Sequence, residues 1–297
     1  MIDSHQIDYS ETLTAPAKVN LSLRVHGRRA DGFHELTSLV VGIDLCDTLR
    51  LAPGSPGVIR LECDPPGLPV GDDNLVVRTA RLLARRLGLE AGAQMRLEKA
   101  IPVAAGLGGG SSDAAATLKG LRRLWRVDVS DAALAEMGAE IGSDVPLFFH
   151  LPAAVIRGRG ERAERVALGW SGWVGLVFSG EAVSTPAVYA ALECPPGVRA
   201  EEDGAIQAIA RCTTAEAIGP HLVNDLERGV FRVCPAMERL LGRVQDAGGR
   251  PARISGAGSV VYALFDEATE ATAWVETMRA RQLGTGATAV RAPVPQV

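Results

Sequence analysis

The sequence predicts an α+β protein of two domains, and three observations carry that prediction. Strand-like and helix-like stretches alternate along the first half. Four glycines within five residues, Gly106-Leu107-Gly108-Gly109-Gly110, stand between an apolar strand and an alanine- and leucine-rich helix. A fresh apolar strand at Trp173–Phe178 opens a smaller second half of strands with helices between them. These place a boundary near residue 168, giving domains 1–168 and 169–297, and 297 residues suit two cores better than one.

Tyr9–Val25 opens the chain as a strand. Leu13, Ala15, Ala17, Val19, Leu21, Leu23 and Val25 alternate with polar residues, so one face is buried. Lys18, Asn20 and Ser22 line the opposite face, with Lys18 and Asn20 about 7 Å apart. That face either meets solvent or sets an ammonium beside an amide in front of a ligand. Gly27–Glu35 is a turn-rich connection whose Phe33-His34 either staples the turn to the core or projects toward a ligand. A second strand follows at Leu36–Ile43. Strand-like pieces over Asp47–Glu62 surround Pro53-Gly54-Ser55-Pro56-Gly57, which reads as a hairpin end.

Asp72-Asp73-Asn74 caps a helix at Leu75–Leu87, closed by Gly88, and Ala93–Ile101 is a short strand entering the glycine loop. A helix is expected from Ala114 to Trp125, with Ser111, Ser112 and Asp113 as N-cap types before it. Ser130 caps the next helix, Ala132–Ile141. Gly142-Ser143-Asp144-Val145-Pro146 is then a helix cap or a functional turn, with Pro146 suited to a first helical turn. Strand and turn fill Ala153–Val166. Beyond Phe178 a helix starts near Ser184, and Glu193–Gly204 is a Pro/Gly/charged loop. Helices follow at 205–212, 223–229 and 235–247, then Arg253–Ser259, a strand at Val260–Phe265, a helix at Glu267–Arg281 and a strand at Ala287–Arg291.

Composition excludes several classes of partner. With 47% hydrophobic residues, 22% charged and a net charge of −4, the chain has no electrostatic reason to bind nucleic acid or an anionic membrane. Cys46, Cys63, Cys194, Cys212 and Cys234 are scattered without zinc or redox spacing, so reduced core thiols are expected. Met1–Glu11 has neither the basic start nor the apolar core of a signal peptide, and no apolar run approaches a membrane span. A cytoplasmic location is expected.

The glycine loop reads as a phosphate cradle. Missing Cβ atoms let backbone approach a ligand, and the following helix presents free N–H groups and the positive end of its dipole. It is not a Walker A loop, because no lysine precedes Ser111-Ser112. It is not a dinucleotide fingerprint either, because the third glycine would fall at Ser111.

Three separated segments stand in one order: Ala15-Pro16-Ala17-Lys18-Val19-Asn20-Leu21, the glycine loop with Ser111-Ser112, and Ser255-Gly256-Ala257-Gly258. Together they resemble the GHMP kinase superfamily, which joins galactokinase, homoserine kinase and mevalonate kinase. Ala30-Asp31-Gly32-Phe33-His34-Glu35 and Gly142-Ser143-Asp144-Val145-Pro146 are similar to the branch that phosphorylates a cytidine-diphosphate-linked methylerythritol in non-mevalonate isoprenoid synthesis. The similarity covers nearly the whole chain and is weakest from about Pro195 to Pro220.

That resemblance implies an N-terminal ATP-binding α/β domain, a C-terminal α+β sandwich domain and an active site in the cleft between them. It implies ATP and Mg²⁺ as cofactors, a small-molecule acceptor, and a monomer or homodimer. Asp144 would accept the acceptor's hydroxyl proton, and Lys18 would hold that carboxylate and stabilise developing charge. Pro102, Ala104, Ala105, Gly106, Leu107, Gly108, Gly109, Gly110, Ser111 and Ser112 would hold the ATP phosphates, with Asn74 and Lys99 near its nucleoside. Phe33, in place of the family's usual tyrosine, would stack on cytosine, and His34 would read the base edge. Tyr189, after Thr185-Pro186, would cover the other ring face. Asn20 would lie by the methylerythritol hydroxyls, and Ser255, Gly256, Ala257 and Gly258 on the substrate side.

Two departures stand out. Ala104-Ala105 replaces glycines, a small change where φ is negative. Asp113 replaces an asparagine, and is expected to point away from the phosphates. Alternatives are another GHMP small-molecule kinase of homoserine or mevalonate type, a diphosphomevalonate decarboxylase, and a non-catalytic nucleotide-binding relative. The presence of both Lys18 and Asp144 argues against the last.

Overall fold

Two long strands, of 18 and 21 residues, lie in one sheet, and a second sheet of four strands is built from the later part of the chain. The structure is a computed structural model that describes residues 7–194, 197–198 and 204–293. In chain order its strands and helices are β1 (Glu11–Arg28), β2 (His34–Gly54), β3 (Ile59–Asp64), α1 (Leu75–Leu87), β4 (Gly92–Glu98), α2 (Gly109–Leu124), α3 (Asp131–Ile141), β5 (Ala153–Gly158) and β6 (Arg162–Arg165). There follow β7 (Gly172–Phe178), α4 (Thr185–Ala191), β8 (Gly197–Val198), α5 (Gly204–Arg211), α6 (Ala215–Ile218) and β9 (Val223–Asn224). The chain continues through α7 (Glu227–Val233), α8 (Pro235–Gly248), β10 (Ala252–Ile254), β11 (Val260–Phe265), α9 (Ala268–Ala280) and β12 (Gly286–Ala292).

The chain forms two compact units that interleave in sequence. One takes the chain up to Pro16 with Cys46–Ile101 and Gly109–Phe149; the other takes Ala17–Leu45, Pro102–Gly108 and the chain from His150 onward. Strands β1 and β2 therefore serve both, which is why each is so long.

In the first unit β4 runs antiparallel to β2 (Thr48–Gly54 against Gly92–Glu98) and parallel to β3. The bend at Pro53–Gly57 is therefore not a hairpin end, because β4 is inserted between the two strands it joins. Only glycine at position 92 permits this, since a Cβ there would sit 1.9 Å from the Ser55 carbonyl oxygen. Three helices pack together on this unit. Asn74 caps α1 by accepting from the Val76 N–H at 2.9 Å, and left-handed Gly88 ends it. Helix α2 packs closely on β1 and β2: a Cβ on Gly120 would fall 2.3 Å from Leu51 Cδ1 and 2.6 Å from Leu13 Cδ1.

In the second unit β5 pairs with β2 over Leu36–Val41, β6 closes a hairpin on β5, and β9 runs parallel to β1. A separate antiparallel sheet, ordered β10-β11-β7-β12, carries the apolar core shared with α7, α8 and α9. Phe265 and Trp274 meet there with ring centroids 5.6 Å apart.

Several sequence expectations are corrected. The helix expected at 223–229 is divided: Val223–Asn224 pairs with β1 as a strand, and α7 starts at Glu227. Residues Asn224 and Asp225 favour local hydrogen bonds over a continuous helix, and Asn224 accepts from the Leu226 N–H at 2.9 Å. Among the described residues the five cysteines form no disulfide, and they are half-buried rather than core. The polar face of β1 is not solvated, since Lys18, Asn20 and Ser22 are all buried. Most of the expected Glu193–Gly204 loop, with the ends 1–6 and 294–297, lies outside the described residues. Among the described residues no helix is long and apolar enough to cross a membrane.

Replacing Gly92 by Ala should cost about 1–3 kcal/mol of stability through the clash with the Ser55 backbone. Urea unfolding, with the midpoint shifted down at constant slope, is the measurement that checks it.

Candidate active site

The glycine loop is divided between the two units, and each fastens its own part. In the second unit Gly106 takes φ +76°, and a Cβ there would lie 2.2 Å from the Ser255 carbonyl oxygen. That close approach delivers the Gly106 carbonyl to two donors, Lys18 Nζ at 2.9 Å and Ser255 Oγ at 3.0 Å. The neighbouring carbonyls are held too: Leu107 accepts from the Lys18 N–H at 2.9 Å and Ala105 from the Val260 N–H at 3.2 Å.

Lys18 Nζ also donates to Asn20 Oδ1 at 2.8 Å, and Asn20 Nδ2 donates to Ser38 Oγ at 2.9 Å. The Tyr262 hydroxyl, its pKa raised by burial, donates to the Asn20 carbonyl at 2.7 Å. Gly256 completes the cluster: a Cβ there would stand 3.3 Å from Lys18 Nζ, 3.4 Å from Asn20 Oδ1 and 3.5 Å from the Gly106 carbonyl. The Ser255–Gly258 turn is itself suspended from Asn224 Nδ2, which donates to the Ile254 and Gly256 carbonyls at 2.9 and 2.8 Å. Lys18, Asn20, the front of the glycine loop and the Ser255–Gly258 turn thus converge in one unit.

In the first unit the loop continues straight into α2. The helix begins at Gly109, five residues before the expected Ala114, so Gly110, Ser111, Ser112 and Asp113 lie in its opening turns rather than ahead of it. Tertiary packing decides this start, because the buried Ser112 and Asp113 are carried inward by the helix. The first N–H groups of α2 have no intrahelical acceptor and form an anion seat. Ser112 Oγ, 1% exposed, has no hydrogen-bond partner among the described residues. This helix N-terminus and its orphaned hydroxyl fit a nucleotide phosphate; in the other unit Gly106 and Gly108 take positive φ.

Asp113 turns to Lys99 instead of toward the loop. Its Oδ2 accepts from Lys99 Nζ at 2.7 Å, and the same ammonium is bonded to Asp47 Oδ2. Asp47, wholly buried, also accepts from the Ala100 and Ile101 N–H groups at 2.7 and 2.8 Å through Oδ1. The strand end that enters the loop and the helix that leaves it are therefore tied to one carboxylate. Lys99 and Asn74, expected near a nucleoside, already have partners: Asn74 Nδ2 donates to the Pro69 carbonyl at 2.8 Å while Oδ1 caps α1.

Asp144 stands half-buried in the turn before a 3₁₀ turn at Pro146–Phe149 and makes no hydrogen bond among the described residues. Its turn abuts the start of α2, since a Cβ on Gly142 would lie 3.8 Å from Ser111 Oγ. Among the described residues no group of three or more His, Cys, Asp and Glu could hold a metal ion. Pro102 and Ala104 are exposed, and Ala105 is buried. Ala104 adopts φ +57°, so the alanine that replaces a glycine there sits in the left-handed region.

In the second unit Phe33 is 49% exposed and the Arg159 guanidinium stands 5.0 Å from its ring centroid. His34 stacks on Tyr189 at 5.1 Å with planes 29° apart. Burial, then the charge of Arg28, lowers the His34 pKa and favours the neutral imidazole. Thr185 and Pro186, both exposed, form the first turn of α4 that presents Tyr189.

Sequence reasoning missed Asp47, Ser38, Asn224 and Tyr262. None lies in a glycine-rich or charged motif, and each acts through a contact distant in the chain.

Fold and site define a small-molecule kinase of the GHMP type. The GHMP kinases N terminal domain model matches residues 74–151 and the GHMP kinases C terminal model matches 205–281. A 4-diphosphocytidyl-2-C-methyl-D-erythritol kinase of Pelotomaculum thermopropionicum is 40% identical over 256 residues, covering 85% of this chain and 88% of that protein. Its counterpart in a Geobacter species is 38% identical over 281 residues, covering 94% and 98%. A crystal structure of 4-(cytidine 5'-diphospho)-2C-methyl-D-erythritol kinase superposes with a TM-score of 0.79 at 36% identity, covering 96% of this chain and all of that one. The homoserine kinase of Cytophaga hutchinsonii, at TM-score 0.74 and 18% identity over 95% and 93%, shares the fold. The chain belongs to the 4-diphosphocytidyl-2-C-methyl-D-erythritol kinase family.

Two variants test this geometry. Burial foremost, and then Asp47 against the pull of Lys99, pushes the Asp113 carboxyl up to about 7 from its ordinary 3.8. Between those values the folded protein keeps a proton that the unfolded chain has released, so this group's contribution to stability falls as pH rises from about 4 to about 7. The stability gained by Asp113→Asn over the parent should therefore grow across that window and level off above it, as read by urea unfolding at a series of pH values. Ala104→Gly should raise stability by up to about 1 kcal/mol by relieving the left-handed backbone, measured the same way.

Proposed function

We propose that this enzyme transfers the γ-phosphoryl group of ATP to the 2-hydroxyl of 4-diphosphocytidyl-2-C-methyl-D-erythritol, giving the 2-phosphate and ADP. The observation that carries this reading is the company Lys18 and Asn20 keep. The same compact unit holds an exposed aromatic ring, Phe33, and the His34–Tyr189 stack. Aromatic faces suit a nucleobase, and neither homoserine nor mevalonate carries one.

The acceptor hydroxyl oxygen bonds to the γ-phosphorus as the bond from phosphorus to the β–γ bridging oxygen breaks. The hydroxyl proton passes to Asp144. A carboxylate without a structural partner is suited to that task, and general-base help contributes about 10²–10⁴ in rate. Lys18, buried and oriented by Asn20 and the Gly106 carbonyl, stabilises charge developing on the migrating group. The N–H groups from Gly108 to Ser112 receive the phosphates, and most of the remaining acceleration is positioning. The Ser111 and Ser112 hydroxyls would help hold a Mg²⁺ ion, whose charge would neutralise the triphosphate. Phe33 and Tyr189 flank cytosine, neutral His34 reads its edge with one donor and one acceptor, and Thr185, Pro186 and Ser255–Gly258 border the acceptor.

ADP release measured with the cytidylated acceptor, homoserine and mevalonate should show turnover with the first alone. Turnover with either of the others and not with the first would replace this reading by a different GHMP kinase activity. Asp144→Asn should lower kcat by about 10²–10⁴ with the KM for ATP within twofold, checked by steady-state kinetics with ATP as the varied substrate.

A further inference from the structure

Glu35 follows His34 directly and is only 7% exposed, yet it carries a carboxylate that the proposed reaction does not use. Both its oxygens are engaged. Oε2 accepts from Arg29 Nη1 at 2.5 Å and Oε1 from Arg162 Nη2 at 2.7 Å. Arg29 stands at the start of the turn that holds Phe33 and His34, and Arg162 at the first position of β6. The carboxylate therefore pins the turn to the β5–β6 hairpin.

The turn is fastened at further points. The Arg29 N–H donates to the Phe33 carbonyl at 2.8 Å, and the Gly32 N–H to the Arg29 carbonyl at 3.1 Å. Asp31 Oδ1 accepts from the Phe33 N–H at 3.1 Å, while Asp31 Oδ2 pairs with Arg29 Nε at 3.1 Å. From the hairpin, Arg159 lies over the Phe33 ring, and its own N–H donates to Glu161 Oε2 at 2.7 Å. The five-residue connection between β1 and β2, with a glycine at 32, has only these few local bonds to hold it in one shape. Here a buried carboxylate between two guanidinium groups imposes one, and such charge-assisted bonds are directional.

From this geometry we infer that Glu35 is a positioning residue for the cytidine end of the acceptor: clamped by Arg29 and Arg162, it fixes the turn that presents Phe33 and His34, and makes the β5–β6 hairpin a determinant of acceptor affinity without touching the acceptor. The inference rests on the cytidine-binding role of Phe33 and His34 proposed above.

The test is steady-state kinetics on Glu35→Gln, Arg162→Ala, Arg162→Lys, His34→Ala and the Glu35→Gln/His34→Ala double variant, with both substrates varied. Glu35→Gln should raise the KM for the cytidylated acceptor about tenfold, with kcat and the KM for ATP within twofold of the parent. Arg162→Ala, whose side chain is 59% exposed and whose loss leaves Arg29 on Glu35, should raise it about threefold even if Glu35→Gln does not fold. Arg162→Lys should restore most of that loss. The double variant should lose less than the two single effects combined, because Glu35 acts in part through His34. A rise in the KM for ATP equal to that for the acceptor, or additive losses in the double variant, would make Glu35 a general stabiliser and overturn the inference. If His34→Ala raises the acceptor KM while Glu35→Gln and Arg162→Ala leave it unchanged, the clamp falls and the cytidine reading stands. An unchanged acceptor KM in His34→Ala overturns both.

Discussion

One backbone carbonyl, that of Gly106, organises the second unit of this enzyme. A carbonyl oxygen has two lone pairs, and here they are filled by an ammonium 88 residues away and a hydroxyl 149 residues away in sequence. A buried ammonium must be hydrogen-bonded, and Lys18 meets that demand with this carbonyl and Asn20 Oδ1. The arrangement requires the backbone of the loop to approach Ser255 closer than any side chain would allow. Glycine at position 106 is thus demanded by packing as well as by its φ. The course of the glycine loop, the orientation of Lys18 and the course of the Ser255–Gly258 turn are one constraint rather than three.

The first unit solves the same problem with a charge cluster. Asp47 holds the end of β4 through two backbone N–H groups and reaches α2 through Lys99 and Asp113. Removing ions from water is costly, and a buried pair contributes little net stability over an apolar replacement. What the cluster does contribute is placement, since the strand that enters the loop and the helix that leaves it are fixed on one group. The second carboxylate is the expensive part. Burial foremost, with a second acid sharing the same ammonium, is why Asp113 holds its proton toward neutrality. An asparagine would accept from Lys99 without that cost, so the aspartate is a departure that the structure accommodates rather than one it needs.

Much of this was legible in the sequence, for identifiable reasons. Helix α1 could be read to the residue because Asn74 and Gly88 are local signals that act on their own backbone. The glycine loop was legible because glycine density reports close approach regardless of what approaches. The hairpin misreading at Pro53–Gly57 came from the same logic, for a turn specifies a bend and not which strand will fill the space beside it. Residues 223–229 looked helical until Val223 and Asn224 found β1, a partner some 200 residues earlier. The early start of α2 likewise came from burial of Ser112 and Asp113, which local cap propensity does not encode.

The sequence by itself determined the family, the glycine loop and the residue types available for chemistry, because these reside in short segments whose spacing carries the information. Tertiary structure alone decided that Lys18 and Asn20 face inward, that Lys99 and Asn74 are bound to the protein's own groups, and that Ala104 is left-handed. It also supplied Asp47, Ser38, Asn224 and Tyr262, ordinary residues in sequence, and the two arginine partners of Glu35. Their importance is a matter of where a lone pair or a proton ends up, and that is set by contacts between segments far apart along the chain.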